Sequence, residues 1–144
     1  MAKFAQGEFV PKNPEKYVGK GSIRYRSGWE WTFMQFCDNN KSITQWASES
    51  IKIPYRHPLT GKQTIYVPDF LIVYVDKSGR QIAEMIEIKP KKQTLIESKR
   101  ASLQLRQTVA INHAKWAAAQ SFCKRMNISF RVITEDDLFR NGAR

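Results

Sequence analysis

Residues 66–90, YVPDFLIVYVDKSGRQIAEMIEIKP, decide the fold. Two runs rich in Val, Ile, Leu, Met and Tyr flank DKSG, a turn in which Gly79 can take a positive φ, so the stretch is predicted to be an antiparallel hairpin. The first strand is almost continuously apolar after Asp69, as expected of a strand covered on both faces. Pro90 ends the second strand. Charge enters both strands at the same end: Asp69 on the first, Glu87 and Lys89 on the second. Side-chain alternation puts Glu87 and Lys89 on one face with Ala83 and Met85, and Glu84, Ile86 and Ile88 on the other.

Asp69 and Glu87 both lie several residues from the turn and can be cross-strand neighbours, although the sequence leaves the register open. A carboxylate in a core strand is costly without a partner, and two together repel unless a cation lies between them. Oxygen ligands with open positions suit Mg²⁺, with Mn²⁺ a substitute. Lys89 can then address the space in front of the metal, to orient or deprotonate an attacking water or to stabilise a charged phosphate. The competing reading is a Glu87–Lys89 ion pair on an exposed face, worth at most about 1 kcal/mol. The triplet alone decides little, since Glu97-Ser98-Lys99 has the same spacing. That second triplet follows no PD strand, and Glu97 is accounted for as the partner of Thr94 in a helix-starting capping box.

Working upstream, IKIPYR alternates, HPLTGK turns, and QTIYVPDFLIVYV returns. Residues 51–56, 63–75 and 81–89 are therefore expected as three consecutive antiparallel strands. ITQWASES is expected as a short helical turn or bend anchored by Trp46. In SGWEWTFMQFCDNN, Trp29, Phe33, Phe36 and Cys37 recur at helical spacing, with Ser27 at the start, Asn39 and Asn40 at the end, and Glu30 in the first turn. Residues 1–25 are rich in Pro, Gly and Lys without a sustained period and are read as an extended basic arm, leaving 26–144 as a single domain.

Downstream, a helical region is expected from Thr94 to about Met126, with Gln107 a place for a break. Ala110, Ala114, Ala117, Ala118 and Phe122 form its sheet-facing side. ISFRVIT alternates as a fourth strand, and EDDLF opens a short helix. The order is helix, three strands, helix, strand (αβββαβ): an α/β fold with a central mixed four-stranded sheet flanked by helices.

The 144 residues carry 24 Lys+Arg against 13 Asp+Glu, a formal charge of +11, which favours a polyanionic partner, with DNA the foremost candidate. No run has the roughly 18 apolar residues of a membrane span, and no signal-peptide segment opens the chain. A cytoplasmic protein is expected. Cys37 and Cys123 lie far apart in apolar contexts and are read as reduced core thiols.

PDF at 68–70, EIK at 87–89 and the helical Glu30 resemble the PD-(D/E)xK nuclease superfamily, whose restriction-endonuclease-like core has this element order. NPEKYVGKGSIRYRSGWEWTFMQFCD, YVPDFLIVY, IEIKPKKQ and INHAKWAAAQSFCKR look like the head-completion nucleases of large contractile-tailed bacteriophages. The endonuclease domain of TnsA-type transposition proteins is similar in its Arg-Ser-x-x-Glu helix and its PDF/ExK strands. The resemblance implies DNA phosphodiester hydrolysis with Asp69, Glu87 and the Ile88 backbone carbonyl as metal ligands. It also implies Lys89 serving the attacking water and Glu30 completing the metal site or orienting that water. For a head-completion protein it further implies action at the end of genome packaging in the infected host cytoplasm, portal or neck proteins as partners, and incorporation into the virion.

Further candidate DNA contacts are Arg24 and Arg26, which flank the Glu30 helix, Lys91 and Lys92 after the EIK strand, and Asn112 and Lys115 on one face of the following helix. Arg24 and Arg26 can alternatively brace Glu30. A ββα-metal nuclease using His57, Asn112 and His113 is excluded by spacing, since those residues span the whole domain. Two alternatives stay open: a non-catalytic DNA-binding virion neck protein, and a TnsA-like or resolvase-type endonuclease.

Overall fold

Pro68 divides what reads as one long strand, and the sheet is built around that division. The computed structural model describes residues 6–139 of the 144. Its elements are β1 (Gly7–Phe9), β2 (Ile23–Tyr25), α1 (Gly28–Asn39), β3 (Ile43–Ser48), β4 (Ile53–Arg56), β5 (Gln63–Tyr66) and β6 (Phe70–Val75). They continue with β7 (Gln81–Ile88), α2 (Leu103–Arg125), β8 (Ser129–Ile133) and α3 (Glu135–Leu138). The central sheet has the order β3-β6-β7-β8, with β8 parallel to β7 and the other pairs antiparallel. This is the expected mixed four-stranded α/β core in αβββαβ order.

The first sheet strand is a different segment from the one expected. ITQWAS forms β3 instead of a helical turn. A bulge between Ile43 and Gln45 interrupts the alternation, and Trp46 and Ala47 are buried in succession, which hides the period of two. IPYR pairs only with β5, in a separate two-stranded hairpin. Proline has no N–H for a ladder bond, and after Tyr66 the chain leaves that hairpin, passes the fully buried Pro68, and enters the sheet at Phe70.

Residues 7–25, read as part of an extended arm, are packed onto the domain; residues 1–5 lie outside the described residues. β1 and β2 pair antiparallel, and Phe9 and Ile23 join the main core with Trp46, Phe33 and Phe70. The segment between them is tied to the end of α1. The buried Asp38 accepts from the backbone N–H groups of Lys12 and Asn13 at 2.8 and 3.0 Å. Lys16 Nζ donates to the carbonyls of Cys37, Asp38 and Asn40 at 2.6–3.0 Å, placing a cation at the C-terminal carbonyls of the helix, where Asn13 Nδ2 also donates to Asp38 O.

The two faces of β7 then do different things. Ile86 and Ile88 pack with Phe70, Ile72, Phe33 and Leu138 in the core beneath α1 and α3. On that face Glu84 is held by Arg131 at 3.0 Å. On the opposite face α2 and the β4–β5 hairpin share a second core of Ile53, Tyr55, Tyr66 and Ala119, flanked by Trp116 and Phe130. Cys37 and Cys123 are both buried free thiols, and Gly79 takes φ +86° in the β6–β7 turn. No described helix is long and apolar enough to cross a membrane.

Thr94 does not start α2. Its hydroxyl donates to Lys91 O at 2.7 Å, closing a 3-10 turn over Lys91–Gln93, and Glu97 sits exposed in the loop that follows. Ser102 caps α2 instead, accepting from Leu105 N at 3.0 Å, and the helix runs unbroken through Gln107. Ser102→Ala should therefore cost about 1 kcal/mol in urea denaturation, the usual loss for an N-cap. Thr94→Ala should cost measurably less. The reverse order would return the helix start to Thr94.

Candidate active site

The strand register brings the two carboxylates together. Phe70 pairs with Ile86 and Leu71 with Met85, so one step further out Asp69 comes opposite Glu87, past the last β6 pair. Pro68 sets Asp69 just ahead of the regular strand, and the Asp69 side chain turns toward β7. Asp69 Oδ2 accepts from Ile88 N at 2.7 Å. A strand residue presents its N–H and C=O to the same neighbour, so the Ile88 carbonyl is directed toward this side as well.

Glu87 is 4% exposed. Its Oε1 accepts from the Tyr66 hydroxyl at 2.8 Å, and its Oε2 lies 3.6 Å from Lys89 Nζ. The ion pair read from sequence thus exists, but on a buried carboxylate rather than an exposed face. The Lys89 side chain is 28% exposed, so its ammonium stands at the rim.

Burial pushes the Asp69 carboxyl well above the usual carboxylate range. The charges of Glu87 and Glu30 add to the shift, while the Ile88 N–H and Lys89 oppose it. Glu87 is also raised, chiefly by burial, against the Tyr66 hydrogen bond, Lys89, the Asp69 backbone and Lys115. Glu30 is raised by burial and by the charges of Glu49 and Glu87, against the Arg26 backbone N–H, which donates to its Oε1 at 2.9 Å, and the Arg26 charge. Three carboxyl groups from α1, the start of β6 and the end of β7 therefore act on one another electrostatically. Each is shifted toward its neutral form relative to an ordinary carboxyl, and positive charge entering the site would oppose that shift.

The structure gathers some of the remaining candidates and disperses others. Lys115 reaches the site: its Nζ lies 5.6 Å from the centroid of the Tyr66 ring, and burial, then the Lys89 charge, lowers its pKa against Glu87 and Asp69. Arg26 does brace Glu30, through its backbone, while its guanidinium grips both oxygens of Glu49 at 2.6 and 3.0 Å. Asn112, expected to touch phosphate, is buried and donates to Gln93 O at 3.0 Å, so it pins the loop after β7 instead. Lys91 pairs with Asp136 at 3.5 Å, Lys92 is exposed beside it, and Arg24 is exposed on β2 across from Glu8.

Two residues were missed. Tyr66 looks in sequence like any core aromatic, and nothing local shows that its hydroxyl meets a residue 21 positions away. Glu49 lies beyond β3 in a positive-φ conformation, φ +49°, and its N–H donates to Asp69 O at 3.0 Å. It helps hold the backbone that carries Asp69.

Among the described residues no three His, Cys, Asp or Glu side chains close into a metal cage. Asp69 and Glu87 nevertheless offer the hard oxygen donors that a divalent cation such as Mg²⁺ prefers, and each carboxylate has lone pairs beyond those taken by Ile88, Tyr66 and Lys89. Two partly dehydrated acids with raised pKa values gain from a cation between them. The donor set fits a metal that keeps several of its waters.

Comparison with known proteins gives the family of the chain. A family profile described as "TnsA-like endonuclease N terminal" matches residues 40–135, from the start of β3 into α3. Asp69, Glu87 and Lys89 fall inside the match, and Glu30 precedes it. The chain is also 41% identical to the head completion nuclease of Enterobacteria phage T4, with 92% of each chain covered. With most of its length matched by an endonuclease profile and nearly all of it by a phage nuclease, the chain belongs to the TnsA-like endonuclease family.

Proposed function

We propose that the protein is a Mg²⁺-dependent DNA endonuclease acting in phage head completion, with Asp69, Glu87 and the Ile88 carbonyl as the metal-binding set. The observation that carries this reading is the buried Asp69–Glu87 pair beside the Lys89 ammonium. The head-completion role rests on the relative from phage T4. In that role the protein would work in the infected host cytoplasm, meet portal or neck proteins at the filled head, and stay with the virion.

Asp69, Glu87 and the Ile88 carbonyl would hold the cation, which would supply positive charge for a phosphate oxygen and for activating a water. The protein's own groups do the rest. Ile88 N–H and Tyr66 O–H fix one oxygen of each carboxylate, and the second oxygen of Glu87 lies 3.6 Å from Lys89 Nζ. Lys89, at the rim, holds the water for in-line attack or offsets charge on the phosphate. Glu30 adds negative charge that favours the cation, and Lys115 adds a second ammonium on the α2 side.

On supercoiled and linear DNA, Asp69→Asn and Glu87→Gln should each lower cleavage on the order of 10³-fold, the scale of several kcal/mol of metal-derived stabilisation. EDTA should abolish cleavage by the wild type. Wild-type rates in either variant would sink the site assignment. Lys89→Ala should lower turnover at least about 10²-fold while Mn²⁺ binding, read by calorimetry, stays nearly unchanged. Equal loss of metal binding would make Lys89 structural.

The raised carboxyl pKa values also set a pH dependence. In the metal-free protein the native state holds protons that the unfolded chain has released. The stability from Asp69 and Glu87 is thus present below the ordinary carboxylate range and lost as pH rises through their elevated values. In EDTA, Asp69→Asn should flatten the fall of Tm with pH and melt above wild type at pH 8. Added Mg²⁺ should raise the wild-type Tm more at pH 8 than at pH 5. A variant that melts lower than wild type at pH 8 with an unchanged slope would contradict this.

A further inference from the structure

The β4–β5 hairpin stands apart from the central sheet, and its two faces have opposite character. Ile53, Tyr55 and Tyr66 turn inward against α2. Their neighbours Lys52, Pro54, Arg56, Gln63 and Ile65 are exposed, with Arg56 directly across from Gln63 and Pro54 from Ile65. No acidic residue occurs between positions 51 and 68, while Lys52, Arg56 and Lys62 are cationic. The tip is ordered by its own bonds: His57 N donates to Lys62 O, Gly61 N to His57 O, and Arg56 Nη1 to Gly61 O at 2.7 Å. A guanidinium has five N–H donors, so Arg56 keeps most of them for a partner.

The base of this ribbon is wired to the catalytic face. Tyr66, its last residue, donates to Glu87, and Lys115 lies over the Tyr66 ring, so positive charge continues from the hairpin inward to Lys89. We infer that the outer face of the β4–β5 hairpin is a duplex-DNA arm, laid in the major groove beside the scissile phosphate; this rests on the nuclease reading above. A two-stranded ribbon fits that groove, and an acid-free cationic face suits phosphates on both walls. Arg56 and Gln63 lie three strand residues from Ile53 and Tyr66, about 10 Å at the usual rise, or roughly three base pairs from the site. The exposed Ile65, 52% accessible, then meets base edges or thymine methyls rather than water.

The test compares two charge-matched variants of the full chain: Arg56→Gln with Lys62→Gln on the hairpin, and Lys41→Gln with Lys77→Gln at the far end of the sheet. All four positions are exposed, so neither variant should unfold. Binding to a labelled 25-bp duplex is read by anisotropy in EDTA across a salt series, and cleavage is read in Mg²⁺. The hairpin variant should bind about tenfold or more weakly, with a log–log salt slope smaller by roughly 1.8 for two lost phosphate contacts. Its cleavage should fail mainly through KM, with kcat at saturating DNA nearly kept, while the far-end variant matches wild type. Unchanged affinity and slope in the hairpin variant, or equal loss in the far-end variant, would overturn the inference. Self-association that changes in the hairpin variant without a change in DNA affinity would overturn it too, by making the face an interface between copies. A wild type that neither binds nor cuts DNA would instead fail the nuclease reading, and the inference with it.

Discussion

Two carboxylates held side by side where water is scarce are the constraint on which the rest of the site depends. Burial raises the pKa of both Asp69 and Glu87, and the Glu87 charge raises Asp69 further. Left alone, such a pair would protonate or pull its strands out of register. The fold opposes that with the Ile88 N–H, the Tyr66 hydroxyl and Lys89. Register is fixed from the other face: Ile86 and Ile88 are buried beneath α1, and a one-residue slip would drive Glu87 into that apolar layer. Packing on one side of β7 therefore positions the Asp69–Glu87 pair on the other.

The same division explains why elements that look peripheral matter. The β4–β5 hairpin contributes no strand to the central sheet, yet it delivers the hydroxyl that orients Glu87. Glu49 contacts Asp69 only through backbone, yet with Arg26 it joins the start of α1, where Glu30 sits, to the start of β6. Residues 7–25 reach no site residue by side chain, but Lys16 and Asp38 lock them to the end of α1 and so steady the helix that carries Glu30.

Much of the architecture was legible because period and punctuation agreed. The Gly79 turn, the alternation to Ile88, the Ser27 cap and the final ISFRVI strand all follow from local chemistry that the tertiary structure leaves intact. Legibility failed where a local signal had a second use. The β3 bulge erased its alternation, Pro68 split a run that hydropathy joins, and Thr94 spent its hydroxyl on a 3-10 turn. In the candidate site, Asp69, Glu87 and Lys89 stand out in sequence because charge in a core strand needs a reason. Tyr66 and Glu49 were not, since each acts through a contact made only by the folded chain. Asn112 shows the converse: a polar residue on a promising helix face whose partner is the backbone carbonyl of Gln93.

A cation taken up by the Asp69–Glu87 pair must displace the protons that the pair holds, so the number of protons released when Mn²⁺ binds tests the proposed site. Calorimetric titrations in buffers of different ionisation enthalpy read that number as pH is varied. Because the pair holds protons above the ordinary carboxylate range, binding should expel roughly one proton near the raised pKa values and progressively fewer as pH climbs above them. The release should vanish with the binding itself in a chain carrying both Asp69→Asn and Glu87→Gln. Mn²⁺ that binds without proton release at every pH, or that binds the doubly substituted chain equally well, would place the metal elsewhere and contradict the site.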